Sequence, residues 1–383
     1  MAKGPGLLRE MNEKRTLSFL RQNKTSSRQE LADVLDVSKN TISLMIDRFI
    51  RDGLVREVGL DQSGVGRPRM QLSLISDAHQ SAGILIRDER FEIVVTDYCG
   101  EMLESRQLPM NARDQALCLT RLSGLCNELI DKYPGLLGIG IAVPGLVDPV
   151  NGVVHYSSHL GWRNVAVTEF LSPRVSVPVH VLNRVKAAAL SPLNIVPEHA
   201  ESTFYIRIDE GVGGAFLIGN DIVHGASRTA GEIGHIVVRP DGPLCTCGRH
   251  GCLESVVSTS AILQRLGKTG LNSVSDEQFS ILLESALIEN GPLGLEEQTM
   301  ENAGRDLGTA IATIINLFNP QYVVVDSPYN AIRAFKEAAT LTAGDGALPY
   351  PFQHTEIIFV RTTLSSAWGM ALAMIHQFET PNY

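Results

Sequence analysis

The chain has 383 residues, more than one ordinary domain holds, and points to two or three. Its hydrophobic and charged fractions, 44% and 20%, are those of a soluble globular protein. No apolar run reaches the roughly 18 residues of a membrane span, and Met1 to Glu10 lack the apolar core of a secretory signal, so a cytoplasmic protein without membrane contact is expected.

The net charge of −9 hides an asymmetry: residues 1–75 carry 13 Lys and Arg against 9 Asp and Glu, the remainder 20 against 33. A basic head on an acidic body suits a protein that touches nucleic acid with its N-terminal part alone. Three helical patterns make up most of that head. The first runs from Leu7 to Gln22, with Leu8, Met11, Leu17 and Leu20 as its expected buried stripe. The second opens with Ser27-Arg28-Gln29-Glu30, a capping box in which hydroxyl and carboxylate satisfy free amides at the helix start. Leu31, Val34 and Leu35 then supply its apolar face. After a turn at Asp36-Val37, Ser38 caps a third helix in which Ile42, Met45, Ile46, Phe49 and Ile50 recur at helical spacing, and Gly53 ends it.

The first turn of the third helix presents Ser38, Lys39, Asn40 and Ser43, short polar and cationic groups able to reach base edges and phosphates in a major groove. Two β-like runs follow, Leu54 to Val58 and Met70 to Leu74, joined by a loop ending in Gly66-Arg67-Pro68-Arg69. A thin cationic tip of this kind can enter a narrow minor groove, where negative potential concentrates. Arg28, Arg67 and Arg69 complete the expected contacts to double-stranded operator DNA. The order of elements resembles the winged helix-turn-helix of bacterial repressors; a helical subdomain for protein contact is the alternative.

From Ser76 onward the pattern changes. Strand-like runs at Ala82–Arg87, Glu92–Asp97 and Met102–Leu108 precede a helix over Ala112–Lys132 and a strand at Leu136–Val143. A similar order returns at Phe204–Ile208 and Gly214–Ile218, before a long helical half. Strands followed by helices, twice, predict two α/β lobes with a ligand cleft between them.

Cys99, Cys118 and Cys126 lie in apolar surroundings and are expected to be small core residues. His235, Cys245, Cys247 and Cys252 place one imidazole and three thiolates within eighteen residues, a set able to close a tetrahedral, structural zinc site. His250 competes as the imidazole, and Arg249 could instead activate a redox Cys-x-Cys pair.

Several motifs of the body together resemble the ROK family, named for repressors, open reading frames and kinases. They are Gly140-Ile-Ala-Val-Pro144-Gly145 with Asp148, Leu160-Gly161-Trp162, Glu232-Ile-Gly-His235, the Cys245 to Glu254 segment, and Asn319-Pro320 before the run Tyr322 to Val325. The resemblance spans residues 78–378, and with the head the chain looks like the family's branch of N-acetylglucosamine, xylose and Mlc-type regulators. It implies an α/β fold in which a winged helix-turn-helix precedes a two-lobed actin/hexokinase-like (ribonuclease H-like) body with a structural zinc site. The expected boundaries are 1–75 for the head, 76–200 for the first lobe, completed by a C-terminal helix over 364–380, and 201–363 for the second lobe. The resemblance further implies a sugar site of Asn183, Glu232, His235 and Glu254, since each carboxylate can accept two hydroxyl hydrogen bonds. His159 stands where many members have Asn, which weakens any transfer of sugar identity.

The kinase pattern of the family is broken in three places. Arg184 follows Asn183 where the kinases have the Asp that serves as base, and a guanidinium cannot accept a proton. The first phosphate loop reads Arg87-Asp88-Glu89-Arg90, without a glycine pair. The glycine pair expected near adenosine is Asp326-Ser327, and only Asp209 to Gly214 survives as a partial second phosphate loop. Arg184 either pairs with a phosphate or carboxylate of the ligand, which adds it to the sugar site, or with a nearby carboxylate such as Glu232 or Glu254. The expectation is a non-enzyme that needs no ATP: a sugar-responsive repressor of carbohydrate genes, acting as a homodimer or homotetramer and released by a sugar or sugar phosphate. The alternatives are control by a protein partner of a sugar transport system, or a sugar kinase carrying a DNA-binding head.

Overall fold

In a computed structural model of the chain, residues 5–61, 69–191, 196, 200–219, 221–267, 294–362 and 365–379 are described. The chain divides into two compact units, Met1–Ala188 with Ser366–Tyr383, and Ala189–Ser365.

The first unit begins with α1 (Pro5–Asn23), β1 (Ser26–Ser27), α2 (Arg28–Leu35), α3 (Lys39–Arg51), β2 (Val55–Asp61) and β3 (Arg69–Leu74). The capping box forms as expected, with the Ser27 side chain accepting from the Glu30 N–H. Asp36, left-handed at φ 54, ends α2; Ser38 accepts from the Thr41 N–H to start α3; and Gly53 at φ 71 turns the chain out of it. Leu17, Leu20, Leu31, Leu35, Ile42, Met45, Ile46, Phe49, Val55 and Leu72 form the core of this head. Leu8 and Val34 are exposed. Ala32, two residues away and on the opposite side of the helix, is buried together with Leu31 and Leu35. Strand β1 is too short to carry a period and was not foreseen; it pairs Ser26 with Leu72 and Ser27 with Gln71, which gives the order β1-β3-β2.

The rest of that unit contains β4 (Gln80–Ile86), β5 (Arg90–Asp97), β6 (Met102–Pro109), α4 (Gln115–Lys132), β7 (Leu136–Val143), β8 (Leu146–Asp148), β9 (Val153–Ser157), β10 (Trp162–Ala166), α5 (Val167–Leu171), β11 (Val179–Asn183) and α6 (Arg184–Ala189). Its main sheet has the order β11-β7-β4-β5-β6, and a small sheet has the order β10-β9-β8. Strands β4 and β7 pair in parallel, as do β7 and β11. Strand β7 reads as an unbroken apolar run, as a central strand covered on both faces does. Ala82, Ile84 and Ile86 share a core with Cys118, Leu122, Cys126 and Leu129 of α4. Burial pushes the Cys118 and Cys126 thiols up to about 12, so they are inert core groups. Cys99 departs from expectation: it is exposed, in the turn after β5.

The second unit holds β12 (Ser202–Ile208), β13 (Val212–Ile218), β14 (Asp221–Ile222), α7 (Glu254–Val257), α8 (Thr259–Arg265), α9 (Leu295–Phe318), β15 (Tyr322–Asp326), α10 (Arg333–Gly346), α11 (Pro349–Gln353) and β16 (Glu356–Val360). Its sheet has the order β14-β13-β12-β15-β16, with β12, β15 and β16 parallel. Met300, Leu307 and Ile311 of α9 and Phe335 of α10 share a core with Phe204, Ile206, Val323 and Val325 of the sheet. The chain ends its described part in α12 (Ser365–Glu379), which returns to the first unit. There Gly83 of β4 and Gly140 of β7 lie against the α12 backbone at Ala367 and Met370, an approach that no larger residue permits.

Candidate functional site

The head presents the first turn of α3 to solvent, with Ser38, Lys39 and Asn40 exposed and Ser43 half-buried. The amphipathic pattern explains this, because burying Ile42, Met45, Ile46 and Phe49 turns the polar stripe outward. Arg69 is exposed on β3, whereas Arg67 lies outside the described residues. Arg28 has a different position from the one its charge suggested. Its guanidinium bonds Asp47 of α3 at 2.7 Å and Glu57 of β2 at 3.4 Å, bracing three elements of the head.

In the second unit, His235, Cys245, Cys247 and Cys252 bring one ligand atom each to within 4.8 Å of one another. The closest approaches are 3.6 Å from Cys245 Sγ to His235 Nδ1 and 3.6 Å between the sulfurs of Cys247 and Cys252. Ligands about 2.3 Å from a tetrahedral zinc are separated by just such distances. His250 stands outside the cluster, its Nδ1 3.1 Å from the Gly242 carbonyl oxygen. The backbone N–H and guanidinium of Arg249 pull the Cys247 thiol down to about 6, toward the thiolate that a metal needs, while burial pushes Cys252 up. The loop is held from behind. Gly251, at φ +68, lies against the Arg239 carbonyl, and the Arg239 guanidinium bonds Asp306 of α9 at 2.6 Å.

The five expected sugar residues divide between the units: Asn183 and Arg184 belong to the first, Glu232, His235 and Glu254 to the second. Asn183 already serves the backbone. Its Nδ2 donates to the Gly145 carbonyl at 2.7 Å, and its Oδ1 accepts from the N–H groups of Val185 and Lys186 at the start of α6. Glu254 accepts from the Val212 N–H at 3.1 Å and from Thr246 Oγ1 at 3.3 Å. Glu232 is exposed, and His235 turns Nδ1 toward the sulfurs.

Two charged clusters lie at the segments Arg87–Arg90 and Asp326-Ser327. Arg87 and Arg90, at either end of the β4–β5 turn, both bond the buried Glu92, at 2.7 and 2.8 Å. In the second unit the parallel register of β12 and β15 sets Arg207 beside Asp326. Asp326 accepts from Arg207 at 2.6 Å, from Tyr205 Oη at 2.5 Å and from the Thr362 N–H at 3.0 Å, and bonds the Thr362 hydroxyl. Arg207 also pairs with Asp209 at 3.5 Å. Sequence reasoning missed this network, although a charged Arg207 inside the apolar run Phe204 to Ile208 was a signal that a partner must exist.

A sequence model described as the ROK family matches residues 81–336, more than half of the chain. The chain belongs to the ROK family. A second model, described as winged helix-turn-helix DNA-binding, matches residues 12–56. Among its relatives, the xylose repressor of Caldicellulosiruptor bescii is 28% identical over 332 residues, covering 83% of each chain. The DNA-binding transcriptional dual regulator NagC of Escherichia coli is 29% identical over 332 residues, 83% of this chain and 80% of that one. Among solved structures, a ROK family transcriptional regulator described as a homologue of the E. coli Mlc protein superposes with a TM-score of 0.82 at 24% identity, covering 97% of both chains. A ROK hexokinase from Thermus thermophilus gives 0.64 at 21% identity, covering 76% of this chain and 97% of its own. The ROK body is therefore shared by regulators and kinases, and its fold does not choose between them.

Proposed function

We propose that this protein is a sugar-responsive, DNA-binding transcription repressor of the ROK family. The observation that carries the reading is the joining of an exposed polar recognition turn on α3 to a ROK body, in a chain that aligns over 83% of its length with a xylose repressor. Ser38, Lys39, Asn40 and Ser43 would read the major groove, with Arg67 and Arg69 of the wing in the adjacent minor groove. Arg28 orients α3 through Asp47 more than it touches phosphate. Two heads on a pseudo-palindromic site require a homodimer or homotetramer. Among the described residues no helix is long and apolar enough to cross a membrane, and with a DNA-reading head we infer a cytoplasmic location.

The effector is a sugar or sugar phosphate, bound by Asn183, Arg184, Glu232, His235 and Glu254. It acts as an inducer by binding the non-operator state more tightly, since equal affinity would shift nothing. Zinc is the metal that suits three thiolates and one imidazole with no open position, and its role there is structural. The protein is not an enzyme. Arg184 supplies no base, and Glu254, not a phosphate, accepts the Val212 N–H of the surviving phosphate loop. The Arg207–Asp326 network satisfies itself without a nucleotide.

The test is a gel shift on genomic fragments selected by the protein itself, with xylose, N-acetylglucosamine and their phosphates added in turn. One sugar is expected to change the affinity by on the order of tenfold, and no response across a broad sugar panel would reject sugar control. Arg184→Ala should weaken the response to a phosphorylated sugar and spare that to a neutral one. A parallel assay with ATP and the same sugars should show no turnover; phosphorylated product would refute the non-enzyme reading.

A further inference from the structure

The last helix, α12, touches both ends of the first unit. At its start, Ser366 Oγ donates to the Arg184 carbonyl oxygen at 2.9 Å, and Gly369 lies directly against the Ala187 backbone in α6. Along its length it is set into the sheet: Gly83 and Gly140 meet its backbone, Ser81 Oγ donates to the Ala371 carbonyl at 2.8 Å, and Trp368 Nε1 donates to the Gly100 carbonyl at 3.1 Å. At its end, Glu379 accepts two parallel hydrogen bonds from Arg21 of α1, Nε to Oε1 and Nη2 to Oε2, both at 2.8 Å. The Glu379 side chain is 3% exposed and that of Arg21 21%. Around this pair, Tyr98 and Ile375 join the core of the head itself, and the Phe378 ring packs on Tyr98 and His79.

Two features mark the pair as more than surface decoration. A carboxylate at a helix C-terminus sits at the negative end of the dipole, where a cation is favoured, so Glu379 is locally disfavoured unless Arg21 meets it. A bidentate Arg–carboxylate fork also fixes orientation as well as distance. The contact therefore constrains the angle at which α1, and with it α3, leaves the lobe.

We propose that α12 is the lever that couples the Asn183–Arg184 corner to the DNA-reading head, with Arg21 and Glu379 as the positioning pair at its far end. A 15-residue helix spans about 21 Å, and backbone contact with α6, β4 and β7 leaves it little freedom to slide without moving them. A shift at α6 is delivered to α1 as a rotation of the head. The proposal rests on the DNA-reading and effector roles assigned above, but its test is arranged so that the two fail separately.

Hydrogen exchange is measured on the full chain, without ligand and with DNA selected by the wild-type protein, for wild type, Glu379→Gln and the exchanged pair Arg21→Glu with Glu379→Arg. Without ligand, Glu379→Gln is expected to speed exchange at least tenfold in the second half of α1 and the last turn of α12. The amides of Ile42 and Ile46 in the head core should remain protected, which shows that the head is still folded. Because coupling is reciprocal, DNA should alter exchange at residues 184–189 in wild type, not in Glu379→Gln, and again in the exchanged pair. Unchanged α1 exchange in Glu379→Gln would overturn the docking role. A DNA response at 184–189 that survives in Glu379→Gln would overturn the transmission. A wild-type protein that selects no DNA would instead count against the repressor reading, leaving the ligand-free exchange to decide whether the pair holds the head.

Discussion

Single side chains in this molecule do work that their types alone do not announce. Asp326 is buried at the end of β15, and it is bonded by Arg207, Tyr205 and Thr362. Asp326→Ala strands the buried Arg207 beside the more distant Asp209 and is expected to cost about 3 kcal/mol, near the lower end for breaking a buried pair. Urea unfolding measures it, and a loss below about 1 kcal/mol would show that Asp209 alone suffices. Gly251 is a second such residue: at φ +68 and against the Arg239 carbonyl it tolerates no Cβ. Gly251→Ala should displace Cys252 and lower the bound metal per chain well below that of wild type, read by elemental analysis. Neither effect is visible from residue type, because each depends on an atom from another strand or loop.

At the scale of elements, much of the head was legible because its signals are local. The capping box at Ser27–Glu30, the Ser38 cap and the five-residue apolar stripe of α3 each lie within a few turns of chain. Ser38→Ala should therefore destabilise the head by about 1 kcal/mol, seen as faster exchange at Asn40 and Thr41. Lys39→Ala should weaken binding evenly across DNA sequences and reduce the salt slope by about 1, whereas Asn40→Ala should relax preference at one base pair. Equal loss on all sequences for both would remove Asn40 from base readout. The stripes of α1 and α2 were less legible. Leu8 and Val34 fit the period yet stay exposed, because periodicity states which residues share a face and not how far a neighbour extends along it. Cys99 was misplaced for a similar reason: apolar flanks do not bury a residue that sits in a turn.

For the whole molecule, the two units predict separable responses to metal removal. The loop of His235, Cys245, Cys247 and Cys252 that could hold a metal adjoins Ile233, Leu253, Val256 and Val257, which belong to the core of the second unit. A chelator should lower the thermal stability of that unit and leave the transition of the first unchanged, as resolved by calorimetry with exchange mapping. A single shared shift would mean that the units unfold together. The helices of the head, its basic charge and the His235–Cys252 cluster could be read from the chain because their parts are near neighbours in sequence, and short-range periodicity and spacing encode them. Only the tertiary structure decided what holds the parts in relation. Arg21 and Glu379 are separated by 358 positions, and Arg207 and Asp326 by 119. A charged pair so distant leaves no pattern in the chain; it exists because strand register and helix packing bring two desolvated groups together, where each is tolerable only beside the other.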